Sequence, residues 1–329
     1  MKIRLATVLV IAQFTILPSV GLCTDYSFIT VDVPGADHTY AYGINDQGQV
    51  VGYYAGTFNG NFGTHGFLDS GGTITTLQVP GTTQTLAFGI NNRGTVVGTA
   101  DGQGFIYSDG SYSLFNAPGG IQSYGGINAN GEIVGNSGNH AFIMKNGVLT
   151  PYDVPGAKFT IAFAVNARGE IVGAFGDPIT GRTRGFLLDG STLTPIDVSG
   201  ATAVIANGIN AAEEITGIYD YLPPGASSVV GQSFVLNKGT LLPFPDVPGA
   251  AGTEVRGIND RGQIVGDWGD GKAFHGFVAT PCEQDEHDEQ DKQERGCVSL
   301  QPPHVPEPST WLLLGSGFVG LTLWRKRIA

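Results

Sequence analysis

The chain has 329 residues, 51 of them glycine, with only 14% charged residues and a formal net charge of −12. Glycine stands at about twice its usual share of roughly 7%, a turn-rich balance that fits many short strands and little helix. The acidic surplus excludes nucleic acid as a partner, because phosphate contacts need clustered Lys and Arg.

At the start, Lys2 and Arg4 precede an apolar run from Leu5 to Val20 that ends in Ser19-Val20-Gly21-Leu22-Cys23. This is the layout of a secretory signal peptide, so residues 1–23 leave the fold argument. A membrane anchor is the competing reading, but the run is short and broken by Gln13 and Pro18. A lipoprotein signal would make Cys23 the lipid-bearing residue, with Leu22 too large for the small residue usual before it.

Residues 24–281 are dominated by a phrase that returns six times. A Val-Pro-Gly-like turn opens each unit, at Val33-Pro34-Gly35, Val79-Pro80-Gly81, Ala117-Pro118-Gly119, Val154-Pro155-Gly156, Val198-Ser199-Gly200 and Val247-Pro248-Gly249. An aliphatic-Asn step follows at Asn45, Asn91, Asn128, Asn166, Asn210 and Asn259, spaced 46, 37, 38, 44 and 49 residues apart. A recurrence at such a period marks one supersecondary unit repeated.

In the first unit, residues 39–44 read as a strand and Asn45-Asp46-Gln47-Gly48 as a tight turn. Residues 49–54 form the second strand, 65–68 the third and 73–79 the fourth. Four antiparallel strands in about 40 residues match one propeller blade. The recurring apolar positions, such as Ile44, Val51 and Phe67 or Ile90, Val97 and Phe105, are its core. A glycine after the second strand (Gly52, Gly98, Gly135, Gly173, Gly217, Gly266) is read as permitting close approach between sheets.

The sixth unit ends after its third strand, and a spare strand, residues 26–32, precedes the first unit. Placing the spare strand in the sixth unit closes the ring. The expected fold is therefore all-β, a six-bladed β-propeller of four-stranded antiparallel blades closed by the N-terminal strand; an open solenoid is the alternative. Glu213 replaces the turn glycine of the other units, and a catalytic pair with Glu214 competes with drift at a tolerant turn.

Three units place His before a small-Phe pair: His65-Gly66-Phe67, His140-Ala141-Phe142 and His275-Gly276-Phe277. With the Gly-Ile-Asn step this resembles the HAF-repeat extracellular proteins, a likeness that names no activity. Gln103, Arg184 and Gln232 fill the slot elsewhere, which argues for a structural donor over a shared catalytic histidine.

Residues 282–304 form an acidic linker. Cys282 and Cys297 flank seven acids, and export supplies an oxidising compartment, so the pair is expected to form a disulfide. The acids are read as a solvated spacer, with a metal site as the lesser alternative. In residues 305–329, Pro306-Glu307-Pro308 leads into an apolar stretch, 311–324, and then Arg325-Lys326-Arg327. A box, a short apolar segment and a basic tail in that order resemble the PEP-CTERM sorting signal of Gram-negative bacteria. The resemblance implies recognition by an exosortase, membrane insertion before processing, and a cell-surface or matrix destination. An ordinary tail anchor is the plain alternative.

Function should sit where the units differ. The loops between second and third strands (55–64, 99–103, 136–139, 174–184, 218–232 and 267–274) vary in length and share one face. Tyr53, Tyr54, Tyr219, Tyr221 and Trp268, with Phe58 and Phe62, lie among Asn, Asp and Gly there. Flat rings beside amides and carboxylates suit stacking on sugars, so a non-enzymatic polysaccharide-binding protein is the leading expectation. A hydrolase or lyase of matrix polysaccharide, with its site at the propeller channel, is the alternative, and a purely structural protein the third reading. No zinc, nucleophile-elbow or phosphate-loop motif occurs, and no cofactor is expected. Asp101, Asp177, Asp220 and Asp267 could each bind Ca²⁺ singly, without a recognisable calcium-loop spacing.

Overall fold

Short β-branched runs punctuated by Asn-Gly and Asp-Gly steps become hairpins, and in the computed structural model every regular element among the described residues is a strand. The structure describes residues 25–117, 120, 125–282 and 297. The expected signal peptide, the acidic stretch 283–296 and the tail with Pro306, Glu307, Pro308, Arg325, Lys326 and Arg327 lie outside the described residues, as do Pro118 and Gly119. Among the described residues no helix is long and apolar enough to cross a membrane.

The sheets follow the repeat. Unit one pairs His38–Ile44, Val50–Phe58, Asn61–Ser70 and Thr73–Leu77 in chain order, and unit two does the same with Thr85–Ile90, Val96–Ala100, Gln103–Ser108 and Ser111–Phe115. Unit three shows three strands, Ile133–Ser137, His140–Lys145 and Val148–Tyr152, with Ile127 bridging Ile133. Unit four (Thr160–Val165, Ile171–Gly176, Thr183–Asp189, Thr192–Ile196) and unit five (Ala201–Ile209, Ile215–Tyr221, Val230–Asn237, Thr240–Pro243) touch through one parallel pair, Thr183 with Ala203. Unit six supplies Gly252–Ile258, Ile264–Gly269 and Phe274–Pro281. Its fourth strand is Tyr26–Val31, antiparallel to Phe274–Pro281, with Tyr26 opposite Pro281 and Val31 opposite Gly276. Phe28 lies 5.8 Å, ring to ring, from Phe277, and Tyr26 5.0 Å from Phe244.

The recurrent asparagine does more than open a turn. Asn45 Oδ1 accepts from the N–H of Gln47 and Gln49, at 3.1 and 3.0 Å. Its Nδ2 donates to the carbonyl of Asn91, the same residue of the next unit, at 3.1 Å. Asn91 donates to Asn128, Asn128 to Asn166, Asn166 to Asn210 and Asn210 to Asn259, at 2.9–3.2 Å. Asn259 then donates to Asn45 at 3.0 Å, so the circuit returns to its start. All six are buried, where an unmade hydrogen bond would cost about 1–3 kcal/mol. The turn at the other end of the unit is pinned by a threonine six residues on, as where Thr39 Oγ1 accepts from Val33 N–H at 3.1 Å.

Two expectations change. The glycine after the second strand relieves crowding inside its own sheet: a Cβ on Gly52 would lie 1.9 Å from the Tyr40 carbonyl oxygen and 2.8 Å from the Phe67 ring. A bulge between Ala41 and Gly43 accompanies that squeeze, and it recurs in units two, four, five and six. The close approach between units falls instead at the glycine before Ile-Asn, where a Cβ on Gly43 would meet the Phe88 carbonyl at 2.9 Å. Second, residues 55–64 are not a loop. The strands continue to Phe58 and Asn61 and reverse on Asn59-Gly60, both with positive φ (50° and 80°), the two-residue turn that Asn-Gly favours.

The core is a series of clusters that enclose each unit's third-strand aromatic: Phe67, Phe105, Phe186, Phe234 and Phe277 are 0% exposed and Phe142 is 3% exposed. Burying one such ring contributes about 1.5–3 kcal/mol. Val265 of unit six packs in the cluster of unit one, with Val33, Ile44 and Phe67. Cys282 and Cys297 are joined by a disulfide, and the Cys282 N–H donates to the Asp25 carbonyl at 2.8 Å.

Candidate functional site

The third position before each recurrent asparagine is held by Tyr42, Phe88, Gly125, Phe163, Asn207 and Arg256. These six, one from each unit, surround a single small cavity of about 30 Å³. The chemistry of this slot changes from unit to unit while the asparagine after it does not. Arg256 supplies the only charge. Its guanidinium lies 5.1 Å from the Tyr42 ring centroid, a cation–π contact that gains strength out of water. Its Nε donates to Asp267 Oδ1 at 3.0 Å, and its Nη2 donates to Glu254 Oε2. Glu254 and Asp267 stand directly opposite each other on neighbouring strands. Burial works against the charge on Arg256, but the facing Asp267 and Glu254 carboxylates and Tyr42 hold it above the usual guanidinium range. Burial pushes the Asp267 carboxyl up, against the pull of Arg256, and Glu254 adds to that rise.

An aromatic belt runs outward from this cavity. Phe88 contacts Tyr42 (5.2 Å between centroids), Tyr42 stacks on Tyr53 (5.4 Å), Tyr53 meets Tyr40 (5.0 Å) and Tyr40 stacks on Phe274 (5.4 Å). Phe274 is 45% exposed, and burial raises the Tyr40 phenol. Phe274 is also one wall of a groove of about 560 Å³ between units five and six, lined among others by Asp220, Gln232, Glu254, Asp267 and Lys272. Groove, belt and arginine network thus share residues and form one continuous site.

The sequence-derived ring set divides on inspection. Tyr53 is a member of the belt. Tyr54, its neighbour, points to the opposite face of the strand, as alternation requires; it is buried in the core of unit one with its hydroxyl 3.1 Å from Thr76 Oγ1. Tyr219 packs against Tyr221 and Phe234 beside the core of unit five. Trp268 stacks on His275 at 4.7 Å and packs against the core of unit six. Tyr40, Tyr42, Phe88, Phe274 and Arg256 were not singled out from sequence. The available signal was that the slot three before each asparagine changes chemistry from unit to unit.

Other candidates have structural occupations. In units one to four the histidine slot is a cross-strand donor to the residue thirteen positions on: His65 to Gln78, Gln103 to Asn116, His140 to Asp153 and Arg184 to Asp197. In unit six the partner is Asp32, from the first strand, 2.9 Å from His275 Nδ1. Asp101 accepts from the backbone N–H groups of Thr83 and Gln84. Asp177 accepts from those of Ile179 and Thr180 and pairs with Arg184. These contacts with Thr180, Arg184 and Ile179 hold Asp177 down at about 2. Glu213 sits at φ 60° and pairs with Arg168 at 2.7 Å, while Glu214 accepts from Asn210 and Asn237, so the two acids serve different structural ends. Among the described residues no group of three or more His, Cys, Asp or Glu is placed to hold a metal ion.

Residues 304–327 match the PEP-CTERM protein-sorting motif, a sorting signal of exported proteins that is recognised by exosortase. No curated protein matches the sequence. Among solved structures, virginiamycin B lyase from Staphylococcus aureus is similar at 12% identity and a TM-score of 0.48, over 78% of this chain and 100% of that one. YCF48 bound to D1 peptide is similar at 12% identity and a TM-score of 0.46, over 78% and 97%. The β-propeller domain of the Trilobed protease from Pyrococcus furiosus gives 9%, 0.44, 74% and 84%. At this level of similarity these likenesses carry no argument about function.

Proposed function

We propose that this is an exported protein of the Gram-negative cell surface or extracellular matrix, sorted through its C-terminal motif, whose residues 24–281 form a six-bladed propeller that binds polysaccharide without catalysis. The pairing of Tyr26–Val31 with Phe274–Pro281 and the returning asparagine circuit support closure of six blades by the first strand. The small cavity then lies on the propeller axis, and the belt and groove at its mouth.

The observation that carries the binding reading is the belt itself. Five aromatic rings, from buried Phe88 to half-exposed Phe274, follow one another at 5.0–5.4 Å and end at a groove lined with hydrogen-bonding side chains. An apolar wall with a few convergent polar groups is the usual make-up of a binding site, and aromatic rings with carboxylate and amide neighbours suit the flat faces and hydroxyl edges of sugars.

The test is retention of the mature protein on a glycan array and on isolated matrix. A Tyr40→Ala, Phe274→Ala double variant should lose at least about ten-fold in affinity, equivalent to 1.4 kcal/mol, while keeping its β-rich circular dichroism. No retention on any glycan would end this reading. Release of new reducing ends or unsaturated products from a bound glycan would replace it with the hydrolase or lyase alternative.

A further inference from the structure

We infer that the polysaccharide taken by the groove between units five and six carries free amino groups, as in a de-N-acetylated hexosamine polymer. This rests on the glycan-binding reading above and adds the class of sugar.

The inference comes from how the charges of the groove are already spent. Arg256 is committed to Asp267 and to Glu254 Oε2 and lies behind the wall, stacked on Tyr42. Lys272 lines the groove from an exposed bend, a cation with no ion pair among the described residues that faces three carboxylates, Asp220, Glu254 and Asp267. That leaves two carboxylate positions for a ligand: Glu254 Oε1, on a side chain 47% exposed, and Asp220, whose carboxylate has no hydrogen-bond partner among the described residues. A neutral or N-acetylated sugar would desolvate Asp220 while offering weaker donors, and burying a charge without a matched partner is costly. A uronic acid or sulfated polymer would bring like charge to a groove with three carboxylates, on a chain of net charge −12. A sugar ammonium instead donates charge-assisted hydrogen bonds to these oxygens. The apolar face of the same ring can rest on Phe274, which shares the groove. Complementary charge of this kind confers specificity more than raw affinity.

The experiment compares three probes by titration calorimetry with the mature protein, at a pH where hexosamine amines are charged: hexamers of glucosamine, N-acetylglucosamine and galacturonic acid. The glucosamine hexamer should bind about ten-fold or more tightly than the other two. Asp220→Asn should abolish that preference, and Asp109→Asn, in an exposed turn of unit two, should leave it intact. Equal weakening by both substitutions would show attraction to the acidic surface as a whole and overturn the inference. Preference for the acetylated or uronate hexamer, lost in Tyr40→Ala with Phe274→Ala, would also overturn it while leaving the polysaccharide reading in place. Absence of binding by every glycan removes both.

Discussion

Asn259 donates from its side-chain nitrogen to the backbone carbonyl of Asn45, 214 residues earlier, at 3.0 Å. The same side chain accepts from the N–H of Arg261 and Gln263, so one buried amide shapes a turn and joins the last unit to the first. Asn259→Ala should therefore lower stability by at least about 2 kcal/mol, because it orphans several buried groups together. Urea unfolding with an unchanged m-value checks this; a loss under about 0.5 kcal/mol would make the circuit ornamental.

The first strand is expected to be integral to the last sheet. Tyr26→Ala removes a ring that is 5% exposed and packed on Phe244, in the range where large aromatic truncations cost about 3–5 kcal/mol. Thermal or urea unfolding of the variant measures it. A protein with residues 25–31 deleted that unfolds at the wild-type midpoint would contradict the pairing.

At Glu213 the backbone is left-handed, φ 60°, where five other units have glycine. Glu213→Gly removes a strain of about 1 kcal/mol and loses an exposed Arg168 ion pair whose contribution is about 0–1 kcal/mol. The expected result is a neutral to slightly raised unfolding midpoint. A clear drop would mean that the ion pair outweighs the strain.

Arg256→Met should destabilise by about 3–5 kcal/mol at neutral pH, because it leaves Asp267, 3% exposed, and Glu254 as an uncompensated pair. The Asp267 carboxyl, already pushed up by burial, can then escape by taking a proton. The deficit should shrink as pH falls. A deficit independent of pH would mean that Arg256 acts through packing alone.

Acid stability should carry the signature of Asp177. Its carboxyl is held at about 2, below the usual carboxylate range, by backbone N–H groups and Arg184. A depressed folded-state value means the unfolded chain binds the proton first as pH falls, so the contribution is complete above the unfolded value and is lost as pH falls through about 2. The stability difference between wild type and Asp177→Asn should be constant above about pH 4 and shrink below it. A difference that persists unchanged at pH 2 would show that charge is not what Asp177 contributes.

Most strands and turns were legible in the sequence, because Asn-Gly chemistry and alternating apolar residues act over a few neighbours, though unit three shows three strands where four were expected. So was the likeness of residues 26–32 to a fourth strand. What sequence position could not reveal was which face of each strand meets the core and which partner each side chain finds. Tyr53 and Tyr54 are chemically identical neighbours, yet one stacks in the belt and the other is sealed in the core. The residue in the histidine slot could be read as a donor, but its partner across the sheet emerges only from the register.

The sequence by itself determined a repeated all-β unit, because the period and the turn residues are local properties of the chain. Only the tertiary structure decided that Tyr42, Phe88, Phe163, Asn207 and Arg256 share one cavity and that Phe274 meets Tyr40 across 234 residues. Those contacts depend on how successive units turn relative to one another, which is set by the close backbone approach at Gly43 and its counterparts and by the asparagine circuit, not by the propensity of any single segment.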